Sequence, residues 1–151
     1  MPVTNVKSRW SSGNLLFSNA AAAPGIEYAI RGRFTVAQVN AGATILPAIP
    51  GISYRVVDVS MISVGGAAAT ATSVDILATQ ATASVKIVAN AVAGLTQSAV
   101  LRAGATNSVV LTDGASFAVN DVNTAITILK AGADVATATH IDVHLRYTME
   151  A

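Results

Sequence analysis

The 151 residues weigh 15.2 kDa, about 101 Da each against about 110 Da in an ordinary chain, because Ala, Gly, Ser, Thr and Val dominate. Hydrophobic residues make up 52% and charged residues 11%, which excludes a disordered chain and fits one domain. A net charge of +1 gives no bulk attraction to nucleic acid, and the absence of Cys excludes disulfides and thiolate metal sites.

Residues 1–25 read as an extended N-terminal arm. Lys7, Arg9 and Trp10 sit among Ser and Asn, no acid occurs before Glu27, and no period is sustained. Leu15, Leu16 and Phe17 add apolar area that a frayed tail rarely carries, so the arm is expected to pack on a partner through Lys7, Arg9, Trp10, Leu15, Leu16 and Phe17. That apolar core is too short for a secretory signal, and Pro24-Gly25 ends the Ala20–Ala23 run.

Residues 26–151 alternate short β-favouring runs with Gly, Pro, Asn and Asp punctuation. A strand is expected over Glu27–Val39, turned by Asn40-Ala41-Gly42, then a short one at Thr44–Leu46 before the Pro47 to Pro50 bend. Ile52–Val64 is the longest strand signal, with two phase slips and an end at Gly65-Gly66. Further strands are expected at Ala71–Ala78, Ser84–Ala89, Gln97–Arg102, Ser108–Thr112, Ser116–Val119 and Ala125–Lys130, with Ala131–Asp134 as a separator. The apolar run from Ile87 to Leu95 is too short to span a membrane and is broken by Asn90. Ala138–Met149 closes the chain with period-2 alternation: Ile141, Val143, Leu145, Tyr147 and Met149 on one face, His140, Asp142, His144, Arg146 and Thr148 on the other. Many short strands and no long amphipathic helix predict an all-β fold, a single jelly-roll-like sandwich, with an immunoglobulin-like sandwich as the alternative.

Charge is unevenly distributed: residues 1–55 carry five bases against one acid, residues 56–151 four bases against seven acids. So few charges on so apolar a chain imply that much of its surface is covered by neighbours. His140, Asp142, His144 and Arg146 form the sharpest constellation, expected as a polar strand face between subunits. Two imidazoles and a carboxylate could also ligate a transition metal, but no further His or Cys completes a closed site. Both His share one strand and no Gly-x-Ser-x-Gly elbow occurs, so no catalytic set is expected. Asp58 or Asp75 is expected to pair with an Arg such as Arg55.

Ala41-Gly-Ala-Thr-Ile-Leu-Pro-Ala-Ile-Pro-Gly51, then Tyr54-Arg-Val-Val-Asp-Val59 and Thr139-His-Ile-Asp-Val-His-Leu-Arg-Tyr147, resembles the small decoration, or cement, proteins of tailed bacteriophages. The likeness spans about residues 27–149 and is one of local phrase rather than of a catalytic signature. It implies a homotrimer made in the host cytoplasm that sits on the outer surface of the virion. Its partner would be the major capsid protein, which it would stabilise against the pressure of packaged DNA. It implies no cofactor, no metal, no catalytic residue, no nucleic-acid partner and no membrane. Two other readings are weighed: a phage head or tail fibre module binding host-surface glycans, for which the chain offers few aromatics, and a cupin-like enzyme or metal-dependent binding protein resting wholly on His140, Asp142 and His144.

Overall fold

The computed structural model describes residues 10–11, 14–15 and 26–151. Within the first 25 residues, β1 (Trp10–Ser11) and β2 (Asn14–Leu15) pair antiparallel, Trp10 opposite Leu15. From Glu27 onward the chain is all-β: β3 (Glu27–Thr35), β4 (Ala43–Leu46), β5 (Ser53–Val64), β6 (Ala69–Gln80), β7 (Ala83–Ala91), β8 (Leu101–Arg102), β9 (Ser108–Val110), β10 (Ile126–Ala136) and β11 (His140–Glu150).

The strands form two antiparallel sheets packed as a sandwich, with orders β3-β11-β5-β8 and β4-β10-β6-β7-β9. Position for position, β3 matches β4, β11 matches β10, β5 matches β6, and β8 matches β7. Each of these pairs is consecutive in the chain, so each connection steps from one sheet to the other. Between the sheets lies one apolar core that includes Tyr54, Val56, Val59 and Met61 from β5 with Val74 and Ile76 from β6. β10 adds Ile126 and Ile128, and β11 adds Ile141, Val143 and Leu145. Tyr147 stacks on Tyr28 and meets Tyr54 edge-on, ring centroids 5.7 and 5.6 Å apart; Tyr54 is buried and the other two are half-buried. Burial pushes the Tyr54 and Tyr147 hydroxyls above the usual phenol range.

Five sequence expectations are corrected. The first strand stops at Thr35, where a six-residue helix, α1 (Val36–Ala41), begins. Its start is a capping box: Thr35 Oγ1 accepts from Gln38 N–H, and Gln38 Oε1 accepts from Thr35 N–H. Val36 had continued the alternation of the strand, and the cap overrode it. Second, β5 slips phase once, not twice. Arg146 faces Asp58 and Tyr147 faces Val56, leaving Val57 as the extra residue. Beyond it Ser63 points inward and donates to the Gly66 carbonyl, while Ile62 and Val64 face outward.

Third, Ala131–Asp134 is not a separator but part of β10. Gly132 takes φ +78° at a register shift against β6, and a Cβ there would lie 2.6 Å from Thr72 Oγ1. Fourth, Ser116–Val119 is not a strand. Thr112–Phe117 is a 3₁₀ segment, held because the buried Ser116 hydroxyl donates to the Ile87 carbonyl and accepts from Leu111 N–H. Only Val119 bridges Arg55. The Gln97–Arg102 expectation likewise shrinks to Leu101–Arg102.

Candidate functional site

β11 is central in its sheet, and its alternation is the one the sequence implies. Ile141, Val143 and Leu145 are buried while His140, Asp142, His144 and Arg146 line the outer face. Facing residues on β3 and β5 complete that face, because antiparallel pairing sets outward side chains opposite outward ones. Arg33 stands opposite Asp142, and Arg31 opposite His144; His144 in turn faces Ser60, and Ser60 faces Arg102 on β8. Arg31, His144, Ser60 and Arg102 are therefore one row crossing all four strands, about 14 Å long at the usual strand spacing.

Ion pairs organise the rest of the face. Arg33 Nε and NH2 donate to Asp142 Oδ1 and Oδ2, each at 2.8 Å, a bidentate pair. The hydrogen bonds from Arg33 hold the Asp142 carboxyl below its usual range, and the same contact raises Arg33. Arg146 donates to Glu27, and Arg55 Nε to Glu150 at 2.8 Å. The partner expected for Asp58 or Asp75 was Arg55; instead Asp58 lies 3.7 Å from Arg102, and Asp75 pairs with Lys86 at 2.7 Å on the other sheet. Arg31 is the one cation among the described residues with no ion pair.

A groove of about 500 Å³ opens on this face, lined by Arg31, Arg33, Arg102, Asp142 and His144, with Val100 and Ile62 on its apolar side. Three guanidinium groups against one carboxylate give it a local excess of positive charge. His140, Asp142 and His144 share the outer face of β11, and His140 Nδ1 lies 3.0 Å from Thr139 Oγ1. No group of three His, Asp or Glu among the described residues is placed to hold a metal ion.

The outer face of the five-stranded sheet is more apolar, with one Lys86–Asp75 pair set into it. Leu129, Asp75, Ala89 and Val109 follow one another across β10, β6, β7 and β9. Ala131 and Ala91 flank Ser73 in the next row. Val109 is 68% exposed. Asp75 is the one acid in that row, its side chain 3% exposed beneath Lys86.

Of the residues expected in the arm, Lys7, Arg9, Leu16 and Phe17 lie outside the described residues. Trp10 and Leu15 are described only as backbone partners. Sequence reasoning found the β11 side of the charged face but missed Arg31, Ser60 and Arg102. Arg31 was within reach, since it shares the outward parity of Glu27 and Arg33; Ser60 and Arg102 depend on long-range register. No family model, no curated protein and no solved structure matches the chain.

Proposed function

We propose that this chain is a structural component of a phage particle, a capsid decoration (cement) protein that binds the outer capsid surface as a homotrimer. The observation that carries the proposal is the division of the two outer faces. One is a lattice of Arg, His, Asp and Glu with a groove; the other sets a single Lys86–Asp75 pair among Leu129, Ala89, Val109, Ala131 and Ala91. An apolar face fits copies of the chain meeting each other, and a charged face fits a partner of complementary charge. Strand order supports the jelly-roll reading of the fold. With β9 set aside and the eight remaining sandwich strands renumbered from β3, the sheets run 1-8-3-6 and 2-7-4-5. Two interlocked Greek keys of this kind recur in viral capsid domains and also in lectins, so the order alone is analogy. The glycan-binding alternative has less support, because Tyr54 is buried and Tyr28 and Tyr147 are half-buried and stacked on each other, which leaves few aromatic faces for a sugar.

Analytical ultracentrifugation and co-sedimentation with heads built from the major capsid protein of the same genome test the proposal. The reading expects a trimer that pellets with the heads in fixed ratio. A monomer that stays in the supernatant overturns it.

A further inference from the structure

We infer that the groove on the β3-β11-β5-β8 face is a carboxylate-binding site that takes an acidic segment of a protein partner. The inference deepens the docking role given to that face and rests on it. Arg31 has no ion pair, and Arg102 reaches Asp58 only at 3.7 Å with its own side chain 72% exposed. His144 stands between them in the row, facing Arg31 directly and Ser60 on the other side. Asp142 cannot neutralise the row, since both its oxygens are taken by Arg33. A guanidinium with free donors beside a second exposed one favours an oxygen anion bound by charge-assisted hydrogen bonds. A row about 14 Å long fits several carboxylates in succession rather than one.

The occupant is not this chain. Six of its eight acids are engaged, Glu27, Asp75, Asp134, Asp142 and Glu150 with cations and Asp121 with the Ala81 and Thr82 amides. Asp58, which Arg102 meets only at 3.7 Å, and Asp113 are left, far apart in sequence, and residues 1–25 carry Lys7 and Arg9 with no acid at all. A second copy therefore offers no acidic patch, and charge complementarity assigns the groove to a different molecule. The apolar Val100 and Ile62 in the lining suit a peptide better than a bare polyanion.

The test is fluorescence anisotropy of labelled hexaglutamate with the full chain at low salt, alongside the head co-sedimentation. Arg31→Glu/Arg102→Glu should weaken hexaglutamate binding about tenfold or more, and rising salt should weaken the wild type. A charge reversal placed elsewhere, Lys130→Glu, should leave binding within about twofold, with circular dichroism checking the fold of both variants. Equal binding by the Arg31/Arg102 variant, an equal loss in the lysine variant, or tighter binding of a thymidine hexanucleotide than of hexaglutamate overturns the inference. If the Arg31/Arg102 variant still pellets with heads, the groove is not the docking surface although the decoration reading survives. If the wild type does not pellet, the decoration reading falls and the peptide measurement alone decides the groove.

Discussion

Arg33 and Asp142 face each other directly across β3 and β11 and are joined by two parallel hydrogen bonds, each 2.8 Å. The pair couples the edge strand of the charged sheet to its neighbour, and Arg146 with Glu27 repeats the device near the other end of the same two strands. Both pairs are open to water, so their worth lies in orientation and register more than in stability.

The acid limb of stability should report this contact. Hydrogen bonding from Arg33 lowers the Asp142 carboxyl in the folded state relative to its unfolded value. Its stabilisation is therefore complete above the usual carboxylate range and is lost as pH falls through the lowered folded value. Asp142→Asn should lower Tm at pH 7 by a small amount and flatten the decline between neutral and strongly acid pH. Thermal melts of both proteins across that range check it. Parallel declines would remove Asp142 from the acid response.

Asp75 and Lys86 should behave differently. The Asp75 carboxylate is 3% exposed, accepts from Ser73 Oγ at 2.6 Å and meets Lys86 Nζ at 2.7 Å. Lys86→Met leaves that carboxylate without its cation. Breaking a fully buried pair costs roughly 3–5 kcal/mol, and because Lys86 is 53% exposed the expected cost is about 1–3 kcal/mol. Asp75→Asn on the Lys86→Met background should recover much of it, because the uncompensated charge is then gone. Urea unfolding of the four proteins forms the double-mutant cycle.

What the sequence made legible follows from which signals are local. β11 could be read residue by residue because it is central, with one face in the core and the other wet. The slip at Val57 was visible as a change of parity. Inward Ser63 was not, since the acceptor that makes a buried hydroxyl tolerable there, the Gly66 carbonyl, belongs to a turn. Gly132 looked like punctuation because a bulge glycine and a turn glycine are the same letter. α1 was recoverable: Thr35 and Gln38 stand at capping-box spacing, a signal stronger than the alternation it interrupted. The groove was not, as Arg31, Ser60, Arg102 and His144 come together only through three strand pairings.

Leu145→Ala tests the packing between the sheets. Leu145 is fully buried in the middle of β11, between outward-facing His144 and Arg146. Removing its isobutyl group should cost about 2–5 kcal/mol, the range for a buried Leu truncated in a core that relaxes only in part. At about 2–4 °C per kcal/mol for a chain of this size, Tm should fall by roughly 4–20 °C. Hexaglutamate affinity should be unchanged below the new Tm, because the outward side chains of β11 keep their register. A melt shifted by less than about 2 °C would mean that the two sheets do not close over this position.

Deleting residues 1–25 separates the arm from the sandwich. The core side chains named here run from Tyr54 to Leu145, and the cluster as a whole from Val39, so residues 26–151 hold the means of closing both sheets on their own. The truncated chain should keep its β-sheet circular dichroism, a cooperative melt and the hexaglutamate affinity of the full chain. If Lys7, Arg9, Trp10, Leu15, Leu16 and Phe17 dock on the capsid, co-sedimentation with heads should fall sharply while the native mass in solution is still that of a trimer. Full retention of head binding would leave the charged face as the sole docking surface and end the role assigned to the arm. Loss of the trimer together with head binding would place the arm between copies of the chain instead, because contacts that hold a trimer together make its apparent stability depend on protomer concentration.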